Sequence, residues 1–567
     1  MMKKIIAFGL CAVMLLALAG CGGGKKKNEQ GVAEYSNKIF DHSYVHEINI
    51  EISEDDWKDL RENPLQKTKY EVNITIDGEK LNHVSFATKG NTSLSSVAGM
   101  SDSDRYSFKI NFGKYEKGQT YYGLDKLNLN NIYADATYMK DYISYEIFRA
   151  AGVEAPQTGY VHLSINGESF GLYLAIEEVG DSYLDRTDQE GSDLYKPETE
   201  MLGNMDKVDN QPGEGGNFNP DDMGSGNQGN MPPAGMGSGN QGDFNPGNMP
   251  GGPQNGDNNL PGNMPGGIPG GGNNFPGNMP GGDNAPGANM GDFIGGMFGG
   301  SNGASLEYTD DNPEHYTDIF DNAETEVTDE DKNRLIAALK ALSEGKADQA
   351  LDVEEVINYF VAHNFVLNYD SYTGSMLHNY YLLEKEGKLS VIPWDYNLAF
   401  GAFAAAGDST ALINTGIDSP LSGGSEENRP LWAFITSDEK YLQQYHESYK
   451  RLMEYANSGE LEAEINRVYN MIHSYVERDA SAFFTVSEFE TAVENLVNFC
   501  RLRAESITKQ LQGQLATVTD QQKSEDRVSA ADVNITAMGS QGNPDKGNMG
   551  FPGGNESGSS EFPQNKK

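Results

Sequence analysis

From about Leu202 to Gly303 the chain is written almost entirely in Gly, Asn, Pro and Met, and it carries "PGNMPGG" three times, beginning at Pro246, Pro261 and Pro276. With so few apolar side chains the segment cannot offset the entropy of ordering it, and it is read as disordered. A stacked repeat is the competing architecture, but these units hold no apolar strand or helix pattern to stack. The tract therefore splits what folds into two halves, residues 41–201 and 304–519. As a long loop it is tolerated if its ends lie close together, and it is expected to be dispensable for folding. The tail from about Asp520, with "GNPDKGNMGFPGG", has the same composition and receives the same reading. Together these tracts explain the 66 Gly and 23 Pro in 567 residues, so the packed part is smaller than the length implies.

The other end of the chain is an address. "MMKKIIAFGLCAVMLLALAGC" has a basic start, an apolar run from Ile5 to Leu18 and small residues before Cys21. That is the layout of a secretory signal over residues 1–20, too short for a comfortable membrane span. "LAGC" at Leu18–Cys21 resembles a bacterial lipobox, which implies lipid on Cys21, a tether over 21–40 and a place outside the cytoplasm, anchored to the cell membrane. Cys11 falls in the signal and Cys21 carries lipid, so Cys500 alone is left and no internal disulfide framework exists. With 42 basic against 84 acidic residues the net charge is −42, which excludes nucleic acid and favours cations or basic partners.

Both halves show periodic order. In 41–201, "YVHEINIEISEDDWKDLRENP" gives a strand and a helix ending at Pro64, and "KYEVNITIDGEKLNHVSFATKG" and "YVHLSINGESFGLYLAIEEV" give hairpins around Asp77-Gly78 and Asn166-Gly167. "RYSFKINF" and "LDKLNLNN" read as strands, and "YMKDYISYEIFRAAG" as a helix closed by Gly152. A small antiparallel sheet with one helix on it is expected. In 304–519, Thr328 caps a helix with an apolar stripe at Leu335, Ile336, Leu339 and Leu342, and further helices follow. The fold class is α+β.

One exception stands in the helical half. "KLSVIPWDYNLAFG" (Lys388 to Gly401) is an apolar strand that ends in Asp395, and a turn at Glu386-Gly387 makes it a hairpin with the strand entered at Asn379. Such a hairpin brings Asn379 and Asp395 to one end, near the loop carrying Asp370. These oxygens suit a hard cation that keeps several waters, and the set suits phosphoryl transfer, with one Asp orienting a hydroxyl and an Asn and Asp holding magnesium. Taken singly, each Asp also reads as a turn former bonding local amides. In the helix from Met139 to Ala151, Glu146 shares the side of Met139, Ile143 and Ile147. A carboxylate facing a core needs a cation, for which Lys109 is the natural partner; at the stripe's edge Glu146 reaches solvent instead.

The motifs "KGNTS", "SFKINF", "LNLNN", "MKDYISYEIFRAAGVEAP", "YVHLSINGESFGLYLAIEEV", "NYDSYTGSMLHNYYL" and "IPWDYNLAFG" together resemble the spore-coat protein H (CotH) kinase family over roughly Glu47 to Gln510, the tract apart. The resemblance implies an atypical protein-kinase-like two-lobe fold transferring phosphate from ATP, with Mg²⁺ or Mn²⁺, to Ser or Thr of a protein. By position it implies Asp370 as the catalytic-loop aspartate, Asn379 and Asp395 as metal ligands, and Lys109 with Glu146 as the phosphate-contacting lysine and its helix partner. Lys89 and Gly90 take the place of the phosphate-covering loop, and Glu177 and Glu178 lie near the adenine. The ordinary G-x-G-x-x-G, H-R-D and D-F-G signatures are missing. Basic, Ser-rich coat or surface proteins suit the acidic surface as substrates. A non-catalytic surface or spore-coat assembly protein is the alternative from another class, and a paired-carboxylate hydrolase lacks a convincing acid and nucleophile pair.

Overall fold

The computed structural model describes residues 33–198, 303–404 and 408–540. The signal with Cys21, the Gly/Asn/Pro/Met tract and the end of the tail lie outside the described residues.

Strands β1 (His46–Glu51), β2 (Tyr70–Ile76), β3 (Glu79–Lys89), β4 (Ser107–Asn111), β5 (Lys126–Asn130), β6 (Thr158–Ile165) and β7 (Glu168–Glu177) close into a barrel in the order β1-β2-β3-β4-β5-β7-β6. Period-two alternation fills it: Ile50, Ile74, Phe86, Phe108, Ile110, Leu127, Leu129 and Leu163 are fully buried. The turns Asp77-Gly78 (φ 48° and 84°) and Asn166-Gly167 (φ 53° and 83°) have the doubly left-handed backbone that two-residue hairpins favour. The expected small antiparallel sheet is corrected in one respect. β1 and β6 pair in parallel, Ile48 opposite Leu163, and so close the barrel. No local turn announces a pair between strands that far apart in the chain.

The helices include α1 (Glu54–Glu62), α2 (Thr92–Ala98), α3 (Lys140–Ala150), α4 (Asp329–Ser343), α5 (Val353–Val366), α6 (Glu439–Asn457), α7 (Glu460–Arg478) and α8 (Val486–Leu511), with further short helices between them, Pro430–Ser437 among them. Thr328 and Asp331 form the capping box that starts α4. Helix α3 lies between the barrel and the helical core: Tyr142 lies 5.5 Å from Tyr160 of β6, and Phe148 lies 5.5 Å from Tyr359 and 5.0 Å from Tyr396, between ring centroids. The barrel is clamped to the helices by buried Arg105, whose Nη1 donates to Asp479 Oδ2 at 2.7 Å. Gly171 lies against this pair, where a Cβ would overlap the guanidinium.

A second sheet, in the order β10-β9-β8, joins the two halves of the chain: β8 (Asp193–Tyr195) precedes the tract, while β9 (Tyr380–Lys385) and β10 (Lys388–Pro393) follow it. Both flanks of the tract meet the same short segment. The Glu198 amide donates to the Asp318 carbonyl at 3.0 Å, and Gly303 sits against Tyr316 and Ile319. The loop's ends are therefore close, as a long insertion requires.

Two expected boundaries move. Residues 33–40, assigned to the tether, bury Tyr35, Ile39 and Phe40. Residues 520–540, assigned to a disordered tail, bury Val528, Ala530, Val533, Ile535 and Met538, and the Asn534 amide donates to Asn495 of α8 at 2.7 Å. Five apolar side chains spaced among polar ones suffice to pin a segment whose overall composition is loop-like.

Candidate active site

A cleft of about 500 Å³ runs between the outer face of the barrel and the loops around the second sheet. Its barrel wall follows from the pleat. Because Phe86, Phe108, Ile110, Leu127 and Leu129 point inward, their neighbours Ser85, Ala87 and Lys89 of β3, Lys109 and Asn111 of β4, and Lys126 and Asn128 of β5 point out into the cleft. Gly90 (φ 100°) turns the chain from β3 toward α2, and Asn91, Thr92 and Ser93 continue the rim. Lys67, Lys69, Lys114 and Lys196 also line the cleft, so a chain of net charge −42 gathers seven lysines here.

The opposite wall carries acids on irregular backbone. In the β9–β10 register Pro393 faces Tyr380, so Asn379 and Asp395 emerge at the same end of the hairpin. His378 Nε2 lies 2.6 Å from Asp370 Oδ1, and Asn379 Nδ2 donates to Asp370 Oδ2 at 3.1 Å and to its carbonyl at 2.9 Å. Leu377, Asn379 and Asp395 have φ of 54°, 59° and 56°, a left-handed backbone that costs on the order of 1–3 kcal/mol per non-glycine residue. The surroundings hold them there. Arg429 donates to the carbonyls of Tyr372 and Gly374 at 2.9 and 2.8 Å. Gly374 fits because a Cβ there would collide with the Tyr369 carbonyl. Buried His363, kept neutral by burial at a pKa of about 3, bonds Thr373 and Tyr396 at 2.8 Å each and so ties the Asp370 loop to the Asp395 loop.

The charges divide in the same way. Burial opposes ionisation of Glu178, but the Lys109 ammonium at 2.7 Å and the Asn128 amide outweigh it and hold the carboxyl at about 2. Burial pulls Lys109 down, and Glu178 more than restores it. Lys89 is lowered by burial. Asp395 is raised, by burial first, with Lys89 opposing and Asp370 adding to the shift. Burial likewise opposes the charging of His378, and Asp370 overcomes it.

Lys89, Gly90, Lys109, Glu178, Asp370, Asn379 and Asp395 thus share one cleft. Two expected residues do not. Glu146 pairs with Arg149 at 2.8 Å and lies 3.8 Å from His42, so the expected Lys109–Glu146 pair is replaced by Lys109–Glu178. The cation that satisfies Glu146 was one helical turn away in the sequence, at i+3. Glu177 turns away from the cleft, bonding Arg186 at 2.8 Å and the Tyr35 hydroxyl. Successive residues leaving a strand point to opposite faces, so only one of the adjacent glutamates can reach the cleft. Missed altogether were His378, Lys126 and Asn128. The last two repeat in β5 the outward alternation that singled out Lys109 in β4, which was a usable signal.

A divalent cation can be tested against these residues. Among the described residues no group of three or more His, Cys, Asp or Glu side chains stands at metal-holding distance. What fits is a sparse site. The partly buried Asp395 carboxylate takes no hydrogen bond from the described residues, nor does Asn379 Oδ1, and desolvation disfavours the ionised form of Asp395 that a cation favours. Two protein oxygens suit magnesium, which keeps waters and takes other ligands from substrate phosphates.

The family model described as CotH kinase protein matches residues 86–228 and 291–507. Inner spore coat protein H of Bacillus subtilis (strain 168) is 30% identical over 83 residues, 15% of this chain and 22% of that protein, so the match spans under a quarter of the relative's length. With the model covering more than half of its residues, the chain belongs to the CotH kinase family.

Proposed function

We propose that this protein is an atypical, kinase-like phosphotransferase that moves the γ-phosphate of ATP to a Ser or Thr hydroxyl of a protein. The observation that carries the reading is the cleft's division: lysines on the barrel face, and Asp370, Asn379 and Asp395 together on the facing loops. Lys89 and Lys109 bind phosphate oxygens, and the Glu178 carboxylate keeps Lys109 charged and aimed. Asp370, held by His378 and Asn379, orients the acceptor hydroxyl and accepts its proton as the new phosphate ester forms. Asn379 and Asp395 would hold Mg²⁺ or Mn²⁺, which would supply positive charge against the phosphates. Trp394 and Tyr381 line the cleft beside them.

The match to a spore coat protein supports a coat or surface protein as substrate. The "LAGC" motif supports work outside the cytoplasm on a lipid anchor at Cys21. Among the described residues no helix is long and apolar enough to cross a membrane.

The test is transfer of labelled γ-phosphate by the chain from Gly22, with Mg²⁺ or Mn²⁺, onto itself and onto a basic Ser-rich protein, beside Asp370→Ala and Asp395→Ala. Transfer lost in both variants supports the reading. A parent that neither transfers phosphate nor binds nucleotide with metal overturns it, in favour of a non-catalytic coat or surface assembly protein.

A further inference from the structure

Asp395 stands where no regular structure supports it. β10 ends at Pro393, and Asp395 follows with φ 56°. Its backbone is held by side chains instead. The Asp395 amide donates to the Tyr145 hydroxyl oxygen at 3.2 Å, the next amide, of Tyr396, donates to Asp141 Oδ1 at 2.6 Å, and Asn368 Nδ2 donates to the Asp395 carbonyl at 3.3 Å. Asp141 and Tyr145 are buried on α3, one turn apart on the same face, far from Asp395 in the chain. The start of α3 is fixed in turn. Asp135 Oδ2 accepts from the Lys140 amide at 2.9 Å, and Lys140 Nζ donates to the carbonyls of Ala134 and Gly539 at 3.0 Å each.

We infer that Asp141 and Tyr145 are positioning residues for the nucleotide-bound cation, clamping two consecutive amides so that Asp395 keeps the left-handed backbone that turns its carboxylate into the cleft. The inference rests on the proposed function, because it presumes that Asp395 is a cation ligand. A buried acid and a buried phenol that served stability alone could have been satisfied anywhere in the helical core. Here their acceptor oxygens meet the two amides that flank the left-handed residue, that of Asp395 itself and that of Tyr396. Neither residue touches the reacting groups; each acts through the backbone.

The experiment uses the full chain and four proteins: the parent, Asp141→Ala, Asp141→Asn and Tyr145→Phe. Mn²⁺ uptake in the presence of ATP is read from the loss of the free-ion electron paramagnetic resonance signal. Metal-free ATP binding and thermal melting are followed in parallel. Asp141→Ala and Tyr145→Phe are expected to weaken Mn²⁺ binding roughly 10–100-fold, as loss of an outer-shell support does, with metal-free ATP affinity unchanged. Asp141→Asn keeps an acceptor oxygen for the Tyr396 amide and should restore most of the affinity. If Asp141→Ala fails to fold, Tyr145→Phe decides the matter. A folded Tyr145→Phe that binds Mn²⁺ as the parent does, even with a lowered melting point, overturns the clamp and leaves the proposed function standing. A parent that takes up no Mn²⁺ with ATP overturns both.

Discussion

The two walls of the cleft are built by different means. The barrel wall places Lys89, Lys109, Lys126 and Asn128 on regular strands, where alternation alone turns them outward and the ladder fixes their spacing. The facing wall places Asp370, Asn379 and Asp395 on loops, two of them with left-handed backbone, braced by His363, Arg429, Asp141 and Tyr145 from elements scattered through the chain. A wall of the first kind tolerates change one side chain at a time. A wall of the second kind depends on its supports, so damage to it spreads.

That contrast can be tested from its strong end downward. On the loop wall, Asp370→Ala should lower phosphate transfer by about 10²–10⁴-fold in kcat, the range for removing a group that takes up a proton in the transition state, with little change in ATP binding. A single-turnover assay against a filter-binding isotherm separates the two. On the barrel wall, Lys109→Met should act chiefly on ATP affinity. It also leaves Glu178 buried without its cation, so a loss of melting temperature should accompany the loss of binding. If Lys109→Met instead leaves ATP affinity intact, the lysine wall is not where phosphate binds.

The Lys109–Glu178 pair also predicts a pH dependence. Glu178 is held at about 2 against an ordinary 4.5, so its stabilising contribution is complete above pH 4.5 and fades as pH falls toward 2. Chemical denaturation of the parent and of Glu178→Gln from pH 7 downward should therefore differ most near neutrality and converge in acid. Curves that stay parallel throughout would break the pairing. The smallest effect sharpens the same point: Glu146→Gln, away from the cleft and paired with Arg149, should leave transfer within about twofold of the parent, as expected for a partly exposed ion pair that does not reach the cleft. A large loss of transfer there would restore Glu146 to the site.

Legibility in the sequence tracks these building methods. The hairpin turns at Asp77-Gly78, Asn166-Gly167 and Glu386-Gly387 were readable because a left-handed two-residue turn has its own chemistry, and all three have positive φ at both positions. The Thr328 cap and the α4 stripe were readable for the same local reason. Glu146 and Glu177 were misplaced because both questions turn on direction: which way a helix faces, and to which side a residue points as a strand ends. His378 went unread beside Asn379, since nothing in a single sequence says that a histidine eight residues after Asp370 will reach back to it.

What the amino-acid sequence determined by itself was local and compositional: most of the strands and the longer helices, the turns, the change of composition between about Leu202 and Gly303, and the ending of an apolar strand in Asp395. Periodicity and turn chemistry act over a few residues, and a sequence displays them directly. The tertiary structure decided the rest. It closed the barrel through the β1–β6 pair, gave Lys109 to Glu178, drew residues 520–540 back onto the core and set α3 beneath Asp395. Each of these joins residues distant in sequence, and such contacts are chosen by how whole elements bury their apolar faces, a choice that no short stretch of the chain contains.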